Sequence, residues 1–257
     1  MKNSKIRILF LGVFLYAGAR AGLAENPSAQ QDKNLRFSFV YPRAAADGKK
    51  GIFLLGRYEP SLPVVLLNGN ESKYCRGRTG ASRHYEDEVL ELTLTPVVET
   101  TGCGATDGYS LALISPGETR YEILPLNEIR DPALIRDLDR LVRSSGLLEM
   151  LVKKNRGATY ALTDLIPPPK VISMGDARIV EYRFSWAAGP RVLVLNGKIS
   201  ALTGQCSFPA LRAFRLDGEI YIESGSSCCE CGIRGSELFH ITPEGAVLVY
   251  SDFSLST

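Results

Sequence analysis

Leu211-Arg-Ala-Phe-Arg-Leu216, Asp217-Gly218 and Glu219-Ile-Tyr-Ile-Glu-Ser224 read together as one β-hairpin. Apolar and polar residues alternate along each arm, which is the period of a strand with one face turned inward. Asp-Gly supplies the two positive-φ positions that a type I′ turn requires. In a regular ladder around that turn, Arg212 faces Glu223 and Phe214 faces Tyr221. An opposite-charge pair and an aromatic pair each favour that register. Carried further outward, the same register sets Cys206 opposite Cys229.

The pattern repeats on both sides of the hairpin. Strands are expected at Ile179–Trp186, Val192–Leu195, Ile199–Leu202, Leu238–Ile241 and Ala246–Tyr250. Asn196-Gly197 and Thr242–Gly245 provide the turns. Earlier in the chain, Leu35–Tyr41, Gly51–Tyr58, Val64–Leu67, Val89–Val98, Tyr109–Ile114 and Tyr121–Leu124 are β-rich runs bounded by Gly, Pro, Asn or Asp. Val64-Val-Leu-Leu-Asn-Gly69 matches Val192-Leu-Val-Leu-Asn-Gly197, and a cysteine follows each, Cys75 and Cys206. That likeness raises the prospect of two related modules.

The middle has a different period. Asp131-Pro132 is an N-cap followed by proline at the first helical position. Leu134, Ile135, Leu138, Leu141, Val142, Leu148, Leu151 and Val152 recur at helical spacing, with Gly146 dividing the segment and Gly157 placed as a stop. The amphipathic face is expected to pack on the protein's own sheet. Pro167-Pro168-Pro169 then makes a stiff spacer. The fold class that results is mainly β (α+β): two antiparallel hairpin or meander modules, sandwich-, barrel- or propeller-like, flanking a short helical segment. The expected division is a signal peptide at 1–24, a polar leader at 25–34 and an N-terminal β module at 35–125. A helical segment and linker follow at 126–166, then a Cys-rich meander at 167–257.

Residues 1–24 carry the marks of an export signal: a positive head, an apolar stretch from Ile8 to Ala19, and Gly22-Leu23-Ala24 before the cut. The stretch falls short of the roughly 20 residues a bilayer span needs, which disfavours the alternative of an uncleaved anchor. The segment holds Lys2, Lys5, Arg7 and Arg20 and no acid, so its removal turns the formal charge from +2 to −2. A nucleic-acid partner therefore has no support in net charge. No later run is apolar enough to span a membrane. The expected location is periplasmic or extracellular.

In such a compartment six cysteines point to disulfides. Cys75 and Cys103 stand alone in the N-terminal half and are expected to pair. Cys206 with Cys229, and Cys228 with Cys231, complete three bridges. The alternative is zinc held by Cys206, Cys228, Cys229, Cys231 and His240, although the spacing lacks the CxxC knuckle of closed tetrahedral sites. A third use, a reactive Cys75 activated by neighbouring arginines, lacks any CxxC in a βαβ setting.

Catalytic constellations are sparse. The only histidines are His84 and His240, and neither HExxH, GxSxG nor a P-loop occurs. His240 lies within an apolar strand and reads as an ordinary strand residue. Arg76, Arg78, Arg83 and His84 form a basic, Gly-rich stretch suited to an anionic group, or simply to solvent. Asn70-Glu71-Ser72 matches a glycosylation sequon. These observations favour an exported, disulfide-stabilised, non-catalytic binding or accessory protein for an unknown ligand or protein partner. A secreted carboxylate-dependent hydrolase and a periplasmic metal-binding protein are the alternatives.

Overall fold

The computed structural model describes residues 36–44, 50–68, 74–86, 91–101, 109–115, 117, 119–153, 161–185, 187–202, 206–227 and 233–255. The expected signal and leader, Gly69 with the sequon that follows it, Cys103, Gly157, Trp186 and the Cys228–Cys231 run involve residues outside that set.

The first seven strands are β1 (Arg36–Ala44), β2 (Lys50–Leu55), β3 (Pro63–Asn68), β4 (Tyr74–Thr79), β5 (Arg83–Glu86), β6 (Glu91–Thr101) and β7 (Tyr109–Ile114). They form a sheet in the order β2-β1-β7-β3-β4-β6-β5. β2 also pairs with β6, from Phe53↔Pro96 to Leu55↔Leu94, and this curls the sheet into a nearly closed barrel. Leu54, Val64, Leu66, Cys75, Ala112 and Ile114 fill its interior. Val65, Leu67, Leu111 and Leu113 point the other way and are buried against the next layer. The unbroken apolar run Val64–Leu67 follows from this, because a strand covered on both faces has no polar side.

β8 (Tyr121–Leu124) and β9 (Asn127–Ile129) precede two helices, α1 (Pro132–Ser144) and α2 (Leu147–Lys153). Asp131 caps α1 as expected, its Oδ1 accepting from the Ala133 amide at 2.9 Å, with Pro132 at the first helical position. Gly146, at φ +75°, separates the helices; that left-handed conformation favours glycine.

The remaining strands are β10 (Lys170–Met174), β11 (Ala177–Arg183), β12 (Ala188–Leu195), β13 (Lys198–Ala201), β14 (Cys206–Leu216), β15 (Glu219–Ser227), β16 (Ile233–Thr242) and β17 (Gly245–Leu255). They build two five-stranded antiparallel sheets, β13-β12-β11-β10-β9 and β17-β16-β15-β14-β8. The turns at Asn196-Gly197 (φ 51° and 74°) and Asp217-Gly218 (φ 49° and 96°) have both residues in the left-handed region, as a type I′ turn demands.

The layers stack in a definite order. Leu138, Val142, Leu148 and Leu151 of the helices cover Val171, Val180, Val192 and Val194 on one face of the β9–β13 sheet. Its other face, with Ile172, Ile179 and Leu193, meets Ala213, Ile222 and Phe239 of the second sheet. The far side of that second sheet, Phe214, Leu216, Tyr221 and Leu238, meets the barrel's outer face. At about 1.5–3 kcal/mol for each large apolar side chain fully buried, these interfaces dominate the stability. The chain is therefore mainly β with antiparallel sheets throughout, and its helical face packs on its own sheet.

One joint between helix and sheet titrates. Tyr182, fully buried, donates its hydroxyl proton to Asp139 Oδ1 at 3.0 Å, and Arg143 Nε bonds the same oxygen at 2.9 Å. Burial, and then the negative charge of Asp139, push the Tyr182 phenol well above its ordinary value. The folded state thus holds this proton more tightly than the unfolded chain. Its contribution is complete below about pH 10 and declines as pH rises past the unfolded tyrosine value. We predict alkaline destabilisation approaching about 1.4 kcal/mol per pH unit from this residue. Tyr121 is shifted in the same direction, chiefly by burial. Urea unfolding between pH 8 and pH 11 should therefore show a shallower decline in Tyr182→Phe, with some slope remaining; an identical decline would refute the assignment.

Candidate binding sites

The sequence-predicted basic residues lie on strands. Arg76 and Arg78 alternate on β4, with Gly77 between them, so both leave the same face of the barrel wall. Register places Arg76 between Val65 and Thr101, and Arg78 between Pro63 and Glu99. Cys75, one residue back, points into the barrel and is 1 % exposed. A Cβ on Gly77 would stand 2.6 Å from the Glu99 carbonyl and 2.7 Å from Val97 Cγ1, so glycine permits β4 and β6 to run this close together.

An open cleft of about 200 Å³ results, lined among others by Arg76, Arg78, Glu99, Thr101 and Thr119. Arg78 Nη1 donates to the Ser61 carbonyl at 2.8 Å, which fixes one guanidinium at the rim. Arg76 is exposed, and Thr101 Oγ1 donates to its backbone carbonyl at 3.5 Å. Two guanidiniums, one carboxylate and two hydroxyls give the cleft a net positive, donor-rich lining. Arg83 and His84 are not part of it. They sit on β5 opposite Leu94 and Thr93, beyond the β6 segment that pairs with β4.

The expected cysteine geometry needs correction. Arg212↔Glu223 and Phe214↔Tyr221 pair as the hairpin register required, but Cys206 faces Ser227 and not Cys229. The register shifts between Phe208 and Leu211, where Pro209 has no amide proton to give the ladder. His240, of the proposed zinc set, is among the described residues. It lies on β16 seven residues past Ile233, the first described residue after the Cys228–Cys231 run, or roughly 23 Å of strand. There its Nε2 contacts Glu219 Oε2 at 2.9 Å and its ring stacks on Tyr221 at 5.0 Å, which makes it a partnered strand residue. Cys75 is disulfide-bonded. Cys228, Cys229 and Cys231 lie outside the described residues. Among the described residues no cluster of three or more His, Cys, Asp or Glu is arranged to hold a metal ion.

Sequence reasoning missed a second constellation. Glu128 on β9, Lys170 on β10, Glu181 on β11 and Arg191 on β12 cross the first five-stranded sheet on one face. Lys170 and Glu181 are register partners, as are Glu181 and Arg191. Lys170 Nζ lies 3.8 Å from Glu128 Oε2, and Arg191 Nε lies 2.9 Å from Glu181 Oε2. Arg191 is 2 % exposed and its Nη1 reaches Ser224 Oγ on the second sheet at 3.2 Å. The four line a cavity of about 440 Å³ together with Leu126, Ile172, Ala188 and Leu211. The available signal was Arg191 itself, the lone charge in β12, Ala188–Leu195.

No known protein family, curated protein or solved structure matches the chain.

Proposed function

We propose that this is an exported, non-catalytic binding protein whose Arg76–Arg78 cleft grips an anionic group, a carboxylate, sulfate or phosphate. The observation that carries the reading is the pair of guanidiniums on one face of β4, held apart by a glycine that the neighbouring strand requires. Export rests on the leader at 1–24. A Cys75–Cys103 bridge is supported by register: Arg76, the residue after Cys75, faces Thr101, two positions before Cys103 in the chain. A hydrolase of the two-carboxylate kind has one acid protonated and the other ionised. Glu128 and Glu181 share a cavity, yet each stands against a cation, which favours binding over acid–base work.

The test is calorimetric titration of the leaderless chain with sulfate, phosphate and succinate. Saturable binding of at least one is expected, weakened at least about tenfold in Arg76→Ala/Arg78→Ala, because a hydrogen bond to a charged group contributes about 1.5–3 kcal/mol. Both side chains are exposed, so the melting temperature should stay close to that of the parent. Absence of saturable binding, or equal binding by the variant, rejects the proposal.

A further inference from the structure

We propose that the cavity crossed by Glu128, Lys170, Glu181 and Arg191 is a second, independent site that takes a small zwitterion: a free α-amino acid or the like, with an apolar side chain. The signs alternate from strand to strand, minus, plus, minus, plus: Lys170, Glu181 and Arg191 stand in register, and Glu128, opposite Ile172, meets Lys170 along the diagonal. A lone anion placed there would meet a carboxylate beside each cation, and a lone cation would meet the reverse. A molecule carrying an ammonium and a carboxylate on one carbon matches the alternation and repels neither neighbour.

The two ion pairs are built differently, and this assigns their roles. Arg191 and Glu181 form the inner pair, at hydrogen-bond distance and anchored to Ser224. Lys170 and Glu128 form the rim pair, half-exposed and 3.8 Å apart, within Coulombic reach but too far for a hydrogen bond. The rim pair can open around a ligand, with Lys170 donating to its carboxylate and Glu128 accepting from its ammonium. Glu181 and Arg191 supply the deeper half of the same field. Ile172 and Leu211 provide an apolar wall on which a hydrocarbon side chain can lie. The volume, about 440 Å³, falls within the roughly 300–1,000 Å³ of small-molecule pockets.

The experiment titrates the leaderless chain calorimetrically with leucine, methionine and phenylalanine, then with 4-methylpentanoate and isoamylamine, which keep one charge each. At least one amino acid is expected to bind saturably, and each single-charge analogue at least about tenfold more weakly than leucine. Lys170→Gln and Glu128→Gln, at exposed rim positions, should each weaken amino-acid binding about tenfold while leaving the melting temperature and the sulfate titration unchanged. Arg76→Ala/Arg78→Ala should leave the amino-acid titration as it was, which separates this site from the anion cleft. No saturable binding of any of the three amino acids, analogue binding equal to that of leucine, or indifference to both rim variants overturns the proposal.

Discussion

Replacing Arg212 by methionine is expected to cost about 3–5 kcal/mol of folding stability, a large share of the roughly 5–15 kcal/mol that such a protein possesses. Arg212 bridges two layers. Its guanidinium donates to Glu223 across the β14–β15 ladder and to the carbonyl of Asn68 at the end of β3. Glu223 is 1 % exposed, so its carboxylate has surrendered nearly all its hydration. Methionine preserves much of the apolar stem but leaves that carboxylate buried without its guanidinium. The partner experiment separates penalty from gain. Arg212→Met/Glu223→Leu removes both charges and should recover most of the loss, because an apolar pair of similar volume is tolerated where a stranded charge is not. Urea unfolding followed by circular dichroism measures all four corners of the cycle. A loss below about 1 kcal/mol in the single variant would place the pair with exposed ion pairs and contradict its burial.

The same pair shows what could be read in advance. Its register was legible because the Asp217-Gly218 turn fixes the ladder and alternation fixes the faces. The helices were legible for a similar reason: capping, proline placement and spacing all agree over residues 131–152. Strands β4, β5 and β9 escaped notice because little in them alternates. Tyr-Cys-Arg-Gly-Arg-Thr has arginines on one face, and its other face offers only Cys75, Gly77 and Thr79. β10 directly follows the proline run, ahead of Ile179, where the sequence pattern places the next strand. The ladder from Glu128 to Arg191 was invisible for a deeper reason. Its members are spread over sixty-odd positions of chain and meet only because four antiparallel strands align. The matching segments at Val64 and Val192 carry a related lesson. Both open hairpins, but Cys75 sits on the return strand β4, whereas Cys206 lies beyond the return strand β13. Hydrophobic runs of this sort report burial on two faces, a condition that several strands of the fold share.

Phe214→Ala is the second large effect, expected at about 3–5 kcal/mol. Phe214 is 1 % exposed at the seam between the second five-stranded sheet and the barrel. It stacks on Tyr221 at 5.6 Å and lies against Tyr121 at 5.5 Å, while Val65, Leu67, Leu111 and Leu113 approach from the barrel side. Truncation forfeits the transfer energy of the ring and leaves a void between two sheets whose backbones are held by their own ladders, so collapse around it is limited. A control is available on β17. Leu248 is 50 % exposed, and its change to alanine should fall within about 0.5 kcal/mol. The shape of the transition is as informative as its midpoint. If the seam couples the barrel to the sheets, Phe214→Ala lowers the urea midpoint in a single step with an unchanged slope. Two separate steps would mean that the barrel stands without its neighbour, and an effect no larger than that of Leu248→Ala would mean that the seam contributes little to the fold. The single step follows from the packing, because the residues that close the barrel's outer face are the same ones that cover the sheet.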